Sequence, residues 1–245
     1  MQNFAIVGCG GTGYYLIEPL AKYLAIRHPG CNLYLIDGDD VEKSNVERAF
    51  TEEHVNQKKA DVLQHRFAQT GMNVLSVPHF VKPGKLWRTH HQDSWYQDGL
   101  TLFAAVDNRK TRKFLQDKAS ELNNVTYVDG GNGAPYDANV LMYVRRNGVD
   151  LTPPIHHIYP YIAHEDEEDF FPGEENCGAR RERIPQVGLV NDHLASMMTW
   201  LWLSQIDEPE KNGGLDGRDI LNHLEMETLA CTVAATPNPG LVRTN

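Results

Sequence analysis

The chain has 245 residues, of which 41% are hydrophobic and 23% are charged, a composition typical of a globular protein that can bury a sizeable core. Its net charge of −10 argues against a broad nucleic-acid-binding surface. No apolar run is long enough to cross a membrane, no secretory signal pattern is present, and four scattered cysteines without a CxxC pair argue against a four-thiolate zinc site. We therefore expect a cytoplasmic, reduced setting with no membrane and no nucleic-acid partner.

Apolar runs and helical patterns alternate through the first half of the chain. Strands are predicted at residues 4–7, 33–36, 74–77, 102–106 and 125–128, and helices at 14–26, 58–69, 85–96 and 110–122. This alternation predicts an α/β, Rossmann-like fold, in which a mostly parallel sheet has helices on both faces. Pro19 lies inside the first helix and predicts a kink or a shifted boundary there.

The pattern changes after Asp129. The following segment, to residue 146, predicts a turn and then an antiparallel extension of the sheet. Residues 152–186 are rich in proline and acidic residues and form a loop that is long for a connection in a compact domain, which indicates either a function or mobility. An apolar helix is predicted at 187–206, and the tail from residue 220 is predicted to form a final strand pair.

A glycine-rich turn, GCGGTG, separates the first predicted strand from the first helix and contains Gly8, Gly10, Gly11 and Gly13. In a Gly-x-Gly-x-x-Gly turn the first glycine permits the tight bend, the second lets a phosphate approach the backbone, and the third lets helix and strand pack closely. The helix N-terminus adds N–H groups and a dipole that favours anions. Asp37 ends the second strand, where a ribose-binding carboxylate is expected. A redox dinucleotide and ATP both fit this stretch.

The loop after the second strand is unusually rich in charge for a dinucleotide enzyme. Its polar side chains, with the lysines that follow, are Asp39, Asp40, Asn45, Arg48, Lys58 and Lys59. An amide, a guanidinium and an ammonium beside a phosphate turn suit a triphosphate, because a glycine loop alone does not neutralise that charge. An exposed polar loop with surface lysines is the alternative interpretation.

Asp107 follows the strand predicted at 102–106, in the sequence AAVDN. The carboxyl ends of parallel strands form the edge where open α/β sheets bind ligands. A carboxylate there, facing a triphosphate, suits Mg²⁺, which prefers one or two carboxylates together with phosphate oxygens. The alternative is a helix cap formed by Asp107 and Asn108.

Four stretches, GCGGTG, DGDDVEKSNVER, NQKKA and AAVDN, occur in an order and spacing that resemble the ThiF/MoeB/HesA superfamily, which includes the ubiquitin-activating enzymes. The resemblance covers residues 3–145 well and 175–207 weakly, where the chain is similar to small family members of bacterial mobile elements. It implies adenylation of the C-terminal carboxylate of a ubiquitin-like or sulfur-carrier protein ending in Gly-Gly, with ATP and Mg²⁺ as cofactors. It also implies one adenylation domain over residues 1–245, with a nucleotide-binding core (1–150), a crossover loop (151–186) and C-terminal helix and strand elements (187–245).

The resemblance also implies roles for individual residues. Asp37 would hold the ribose hydroxyls of ATP, and Asp107 would hold Mg²⁺. Phosphate contacts would come from Asn45, Arg48 and Lys59, while the four glycines and Asp39 complete the nucleotide site. Lys59 is preferred to Lys58 because it aligns with the family's lysine before a small residue, although the alignment can slip by one.

Cys177 lies where many relatives carry a cysteine that accepts the acyl group. Three arginines between residues 180 and 183 favour its thiolate, whereas the glutamates at 174 and 175 oppose it. With Arg48, Lys59 and Asp107 it completes the predicted catalytic set. A loop cysteine without a role is the alternative.

The sequence departs from the family in two respects. It has no paired CxxC motifs for a structural zinc, and Met1 lies close before the glycine turn, so the N-terminal arginine of many relatives is missing or comes from elsewhere. This puts a shared dimer site in doubt, although the helix at 187–206 can still pair two subunits. Two other functions stay open: an NAD(P)-dependent oxidoreductase and a non-catalytic partner subunit with the same fold.

Overall fold

We describe the fold from a computed structural model in which residues 2–46, 49–84, 95–132, 137–163, 171, 188–207, 218–225 and 230–237 are described. Residues 132, 137, 188 and 189 and the last two ranges are described by their backbone alone.

One sheet of nine strands runs through the described residues. The strands are β1 (Asn3–Val7), β2 (Asn32–Ile36), β3 (Asn73–Val77), β4 (Leu100–Ala104), β5 (Val125–Asn132), β6 (Asp137–Arg146), β7 (Val149–Asp150), β8 (Arg218–Glu225) and β9 (Ala230–Pro237). Their order is β3-β2-β1-β4-β5-β6-β8-β9, with β7 paired to β6. The pairs among β1 to β5 are parallel, and those from β5 to β9 are antiparallel. The predicted Rossmann-like sheet with an antiparallel C-terminal extension is confirmed.

Five α-helices lie within the described ranges: α1 (Gly11–Arg27), α2 (Lys59–Phe67), α3 (Arg109–Glu121), α4 (Ile155–Ile158) and α5 (Gly188–Trp202). A π-helical turn, Leu203–Asp207, continues α5, which matches the apolar helix predicted at 187–206. Among the described residues no helix combines the length and the apolar character needed to cross a bilayer.

The core has two parts, one on each face of the sheet, because successive strand residues point to opposite faces. Phe4 and Ile6 of β1 face a layer that includes α1, α2 and α5, whereas Ala5 and Val7 face a layer that includes α3 and α4. Burial of alternate strand residues on both faces explains why β1 is apolar from Phe4 to Val7. Helices on both faces leave the carboxyl edge of the parallel strands as the place for a ligand site.

Several predicted boundaries differ from the structure. The strand predicted at 102–106 is β4 and ends at Ala104, where its parallel pairing with β1 ends; the Ala105 N–H donates the last bond of this ladder to the Val7 carbonyl at 2.8 Å. β5 continues beyond 128 to Asn132, because its pairing with β6 continues through Gly131. The first helix does not end at Pro19 and runs from Gly11 to Arg27.

Other predictions fall partly outside the described residues. Of the helix predicted at 85–96, only Trp95 and Tyr96 are described, and they are not helical. The loop predicted at 152–186 contains α4 and a 3-10 turn, Pro160–Ala163, so its beginning is helical. Residues 164–170 and 172–187 lie outside the described part of the chain.

Candidate nucleotide site

The glycine turn joins β1 to α1 in a conformation that requires glycine at two positions. Gly8 has a φ of +90°, and a Cβ there would overlap the Ala105 carbonyl. A Cβ at Gly13 would overlap the Gly8 carbonyl oxygen. The Gly8 N–H donates to the Ile36 carbonyl at 2.9 Å, which fixes the turn to the end of β2. The close approach of helix and strand predicted for Gly13 is present.

The outer side of the turn is open. Gly10 is the N-cap residue of α1, and among the described residues no atom beyond its chain neighbours lies within 4 Å of the position that a Cβ at Gly10 would take. No side chain caps the helix among the described residues. A phosphate can therefore approach the first turn of α1, whose backbone N–H groups and dipole favour an anion.

Asp37 lies directly behind this turn and is buried. Its two carboxylate oxygens accept the backbone N–H groups of Cys9 at 2.7 Å and Asp39 at 2.8 Å. Burial raises the pKa of Asp37, and the Lys59 ammonium is the strongest influence that lowers it. Asp37 therefore holds the turn and the following loop together, and each oxygen keeps a further lone pair for a ribose hydroxyl.

The two lysines at the start of α2 point to different environments. Lys59 is 6% exposed, and its Nζ donates to Asp39 Oδ2 at 3.1 Å. The Lys59 charge acts on both Asp37 and the Cys9 thiol. Burial, and after it the Asp37 carboxylate, raises the pKa of the Cys9 thiol, whereas Lys59 lowers it. Lys58 is more exposed and contacts Asp40 at 2.9 Å and the Gly38 carbonyl at 2.8 Å. Lys59 is thus the lysine beside the glycine turn.

The remaining predicted residues are brought to this edge to different degrees. The Asn45 side chain accepts the Glu42 N–H at 3.0 Å and so stabilises the 3-10 turn Lys43–Asn45. Asp107 is exposed just beyond β4, on the edge that carries the glycine turn. The cap of α3 is Asn108, which accepts the Thr111 N–H at 2.8 Å. Arg48 and Cys177 lie outside the described residues.

A buried ion pair at the same edge was missed by the sequence analysis. Arg112 of α3 lies 2.8 Å from Asp129 Oδ2 at the end of the parallel part of β5. Tyr127 donates its hydroxyl to the other oxygen of Asp129 at 3.0 Å. The sequence offers only a weak signal for this pair, because an arginine in a charged helix usually faces solvent.

A second missed residue is Asn191, on the first turns of α5. It is 5% exposed, and its Oδ1 accepts the Thr12 hydroxyl at 3.1 Å. A Cβ at Gly11 would overlap the Asn191 amide, which explains why glycine stands at this position of the turn. The glycine turn therefore packs against α5, a helix that comes late in the chain.

No group of three or more side chains of the metal-ligating types His, Cys, Asp and Glu occurs within the described residues. The described residues thus form an open glycine turn with a buried cation, Lys59, behind it.

The chain belongs to the ThiF family, whose model matches residues 2–199. It is 33% identical over 128 residues to a maize (Zea mays) protein, "Adenylyltransferase and sulfurtransferase MOCS3-2", covering 50% of this chain and 24% of the maize protein. The chain thus spans about a quarter of the length of that relative.

Solved structures share the fold at low sequence identity. The structure of E. coli MccB with ATP has a TM-score of 0.63 and 15% identity, and the match covers 98% of this chain and 66% of that chain. The structure of PaaA has a TM-score of 0.61 and 18% identity, with 96% of this chain and 64% of that chain covered. At these identities the similarity establishes the common fold.

Proposed function

We propose that the protein is an adenylyltransferase that uses ATP to activate the C-terminal carboxylate of a small protein or peptide. The observation that carries this proposal is the open glycine turn with Lys59 and Asp37 buried behind it, in a chain of the ThiF family. The maize relative is named an adenylyltransferase, and E. coli MccB has been crystallised with ATP and, separately, with AMPCPP and MccA.

The proposed nucleotide contacts follow from the geometry of the turn. The N–H groups at the start of α1 would bind phosphate oxygens, and the Asp37 carboxylate would accept a ribose hydroxyl. Lys59 would exchange its contact with Asp39 for a phosphate oxygen, since the ammonium already lies beside the turn. Asn45 and Arg48 would contribute further phosphate contacts from the loop after β2.

The proposed reaction needs positioning more than proton transfer. A substrate carboxylate oxygen attacks the α-phosphorus of ATP, a new P–O bond forms, the bond to the β-phosphate breaks, and pyrophosphate leaves. The carboxylate is already ionised at neutral pH, so no general base is required. Fixed cations and backbone donors lower the barrier by offsetting the repulsion between the anions and by stabilising the leaving group.

Asp107 is the residue that we propose for Mg²⁺. One exposed carboxylate at the carboxyl edge fits the mode in which Mg²⁺ is bound by a single protein carboxylate and by substrate phosphates. The Mg²⁺ ion would neutralise charge on the triphosphate. The role of Asp107 itself is to anchor that charge at the edge between β1 and β4.

The proposed partner is a ubiquitin-like or sulfur-carrier protein with a Gly-Gly terminus. MccB provides a parallel, since its structures include the peptide MccA. We also propose α5, on which Trp200 is exposed, as the helix that pairs two copies of the chain, and sedimentation analysis would test this.

Cys177 is the proposed acceptor of a second step. Its thiolate would attack the carbonyl carbon of the acyl adenylate, a C–S bond would form, the C–O bond to AMP would break, and AMP would leave. Burial raises the pKa of Cys9 and, to about 11, that of Cys31, so these two thiols are poor nucleophiles. Cys177→Ala is expected to leave adenylation unchanged and to remove a thiol-sensitive adduct, and an adduct that survives would place the acceptor elsewhere.

ATP–pyrophosphate exchange with candidate small proteins ending in Gly-Gly tests the first step. Lys59→Met and Asp107→Asn are expected to abolish exchange, whereas the matched control Lys58→Met is expected to retain it. Equal loss in both lysine variants would contradict the assignment of Lys59. Tight binding of NADH with no binding of Mg·ATP would instead support an oxidoreductase.

A further inference from the structure

Arg112 connects the loop after β4 to the neighbouring strand β5 at the carboxyl edge. Its Nη2 donates to the Val106 carbonyl at 2.8 Å, in the loop after β4, and to the Gly130 carbonyl at 2.8 Å, in β5 beyond its parallel pairing. Its Nη1 donates to Asp129 Oδ2 at 2.8 Å. One planar guanidinium therefore fixes the spacing between the loop after β4 and the end of β5.

This guanidinium is itself held rigidly. Arg112 is 8% exposed and Asp129 is 1% exposed, so neither charge can leave the other without a large cost. The Tyr127 hydroxyl donates to Asp129 Oδ1 and fixes the carboxylate. A Cβ at Gly131 would overlap the guanidinium, which shows how closely the β5 backbone packs against it.

The loop that Arg112 holds is the one that carries Asp107. Val106 precedes Asp107 and is fixed through its carbonyl, while Asn108 follows it and is fixed as the cap of α3. Although burial lowers the pKa of Arg112, nearby anions raise it above its ordinary value, with Asp129 the strongest and Asp107 among them. The guanidinium is thus within electrostatic range of the Asp107 carboxylate.

We propose that Arg112 is a positioning residue that holds Asp107 in place for a divalent cation bound with the nucleotide. The inference rests on the proposed function and names a device within that site. An exposed loop carboxylate binds a cation weakly when the loop must first be ordered, so fixing both neighbours removes that cost before binding. Lysine cannot replace arginine here, because an ammonium lacks the planar fork that reaches three acceptors.

The test measures binding of the ATP analogue AMPCPP by titration calorimetry, once with Mg²⁺ and once with EDTA. The variants are Arg112→Lys, Tyr127→Phe and Asp107→Asn. The matched control is Arg146→Lys, because Arg146 is a half-buried arginine that donates to the Val125 carbonyl and the Thr126 hydroxyl at the opposite end of β5. Melting temperatures of all variants are recorded in parallel.

Wild type is expected to bind AMPCPP more tightly with Mg²⁺ than with EDTA. Arg112→Lys is expected to lose about 10-fold or more of that enhancement while its affinity in EDTA changes little, as for other residues that orient a metal ligand. Tyr127→Phe should lose a smaller part of the Mg²⁺ enhancement. If Arg112→Lys does not fold, Tyr127→Phe tests the positioning role in its place. Arg146→Lys should keep the full enhancement.

Three results would overturn the inference. If Asp107→Asn abolishes the Mg²⁺ enhancement but Arg112→Lys and Tyr127→Phe retain it, the proposed function stands and the positioning role fails. If Arg112→Lys weakens AMPCPP binding by the same factor with Mg²⁺ as with EDTA, and Arg146→Lys does the same, the role of Arg112 is only structural. Absence of AMPCPP binding to wild type would overturn the proposed function and the inference together.

Discussion

Replacing Arg112 by methionine removes one partner of the buried pair with Asp129. The two groups lie 2.8 Å apart and are 8% and 1% exposed, so the carboxylate left behind stays buried. Breaking one side of such a pair costs about 3–5 kcal/mol of unfolding free energy. The Val106 and Gly130 carbonyls also lose their donor, at about 1 kcal/mol each. Arg112→Met is therefore expected to lose about 5 kcal/mol or more at neutral pH.

The loss should depend on pH with a definite sign. Burial raises the pKa of Asp129, and Arg112 is the strongest neighbour that lowers it, so the pKa rises further in the variant. A carboxyl with a raised folded pKa contributes stability below its unfolded pKa, and this contribution is lost as the pH rises through the folded pKa. The cost of Arg112→Met is therefore expected to be smaller at about pH 5 than at about pH 8.

Urea unfolding at both pH values measures this difference, and adding Asp129→Asn should remove its pH dependence. The control is Lys113→Met, at the next position of α3, where the exposed pair with Asp117 spans 2.9 Å. We expect that control to cost less than about 1 kcal/mol. The reasoning is refuted if Arg112→Met loses no more unfolding free energy than Lys113→Met, or if it loses the same amount at both pH values.

The other predictions concern the glycine turn. Gly13→Ala forces a methyl group onto the Gly8 carbonyl and is expected to cost about 1–3 kcal/mol. Gly10→Ala has open space and a φ of −76°, so its melting temperature should stay unchanged while its affinity for AMPCPP falls; similar melting temperatures for the two variants would contradict this contrast. Asn191→Ala leaves the Thr12 hydroxyl without its acceptor and should cost about 1–3 kcal/mol in urea unfolding, and an unchanged midpoint would exclude a structural role for that contact.

The predictable part of the fold is the part with local signals. Alternating strands and helices, and glycines at positions 8 and 13, predict a parallel sheet and a phosphate turn because periodicity and backbone conformation are written in short windows. The exact end of β4 was not predictable, since Ala105 and Val106 are apolar and the strand ends only where its pairing with β1 ends, at Ala104.

Contacts that depend on tertiary packing left no such signal. Arg112 and Lys113 are neighbours in one charged helix, yet one is buried against Asp129 and the other is exposed. Their difference follows from which face of α3 meets the sheet, a property of the assembled molecule. Asn191 likewise gains its role only when α5 packs behind the glycine turn.

The Thr12–Asn191 contact joins residues 179 positions apart, so the glycine turn is synthesised well before the helix that packs against it. A second long-range contact joins the C-terminal ends of the same two helical segments, where Asp207 accepts a hydrogen bond from the Tyr23 hydroxyl and contacts His28. During synthesis the glycine turn therefore emerges long before α5, the helix that supports it. Nucleotide affinity in a nascent chain should appear late and abruptly, when the helix that begins at Gly188 emerges.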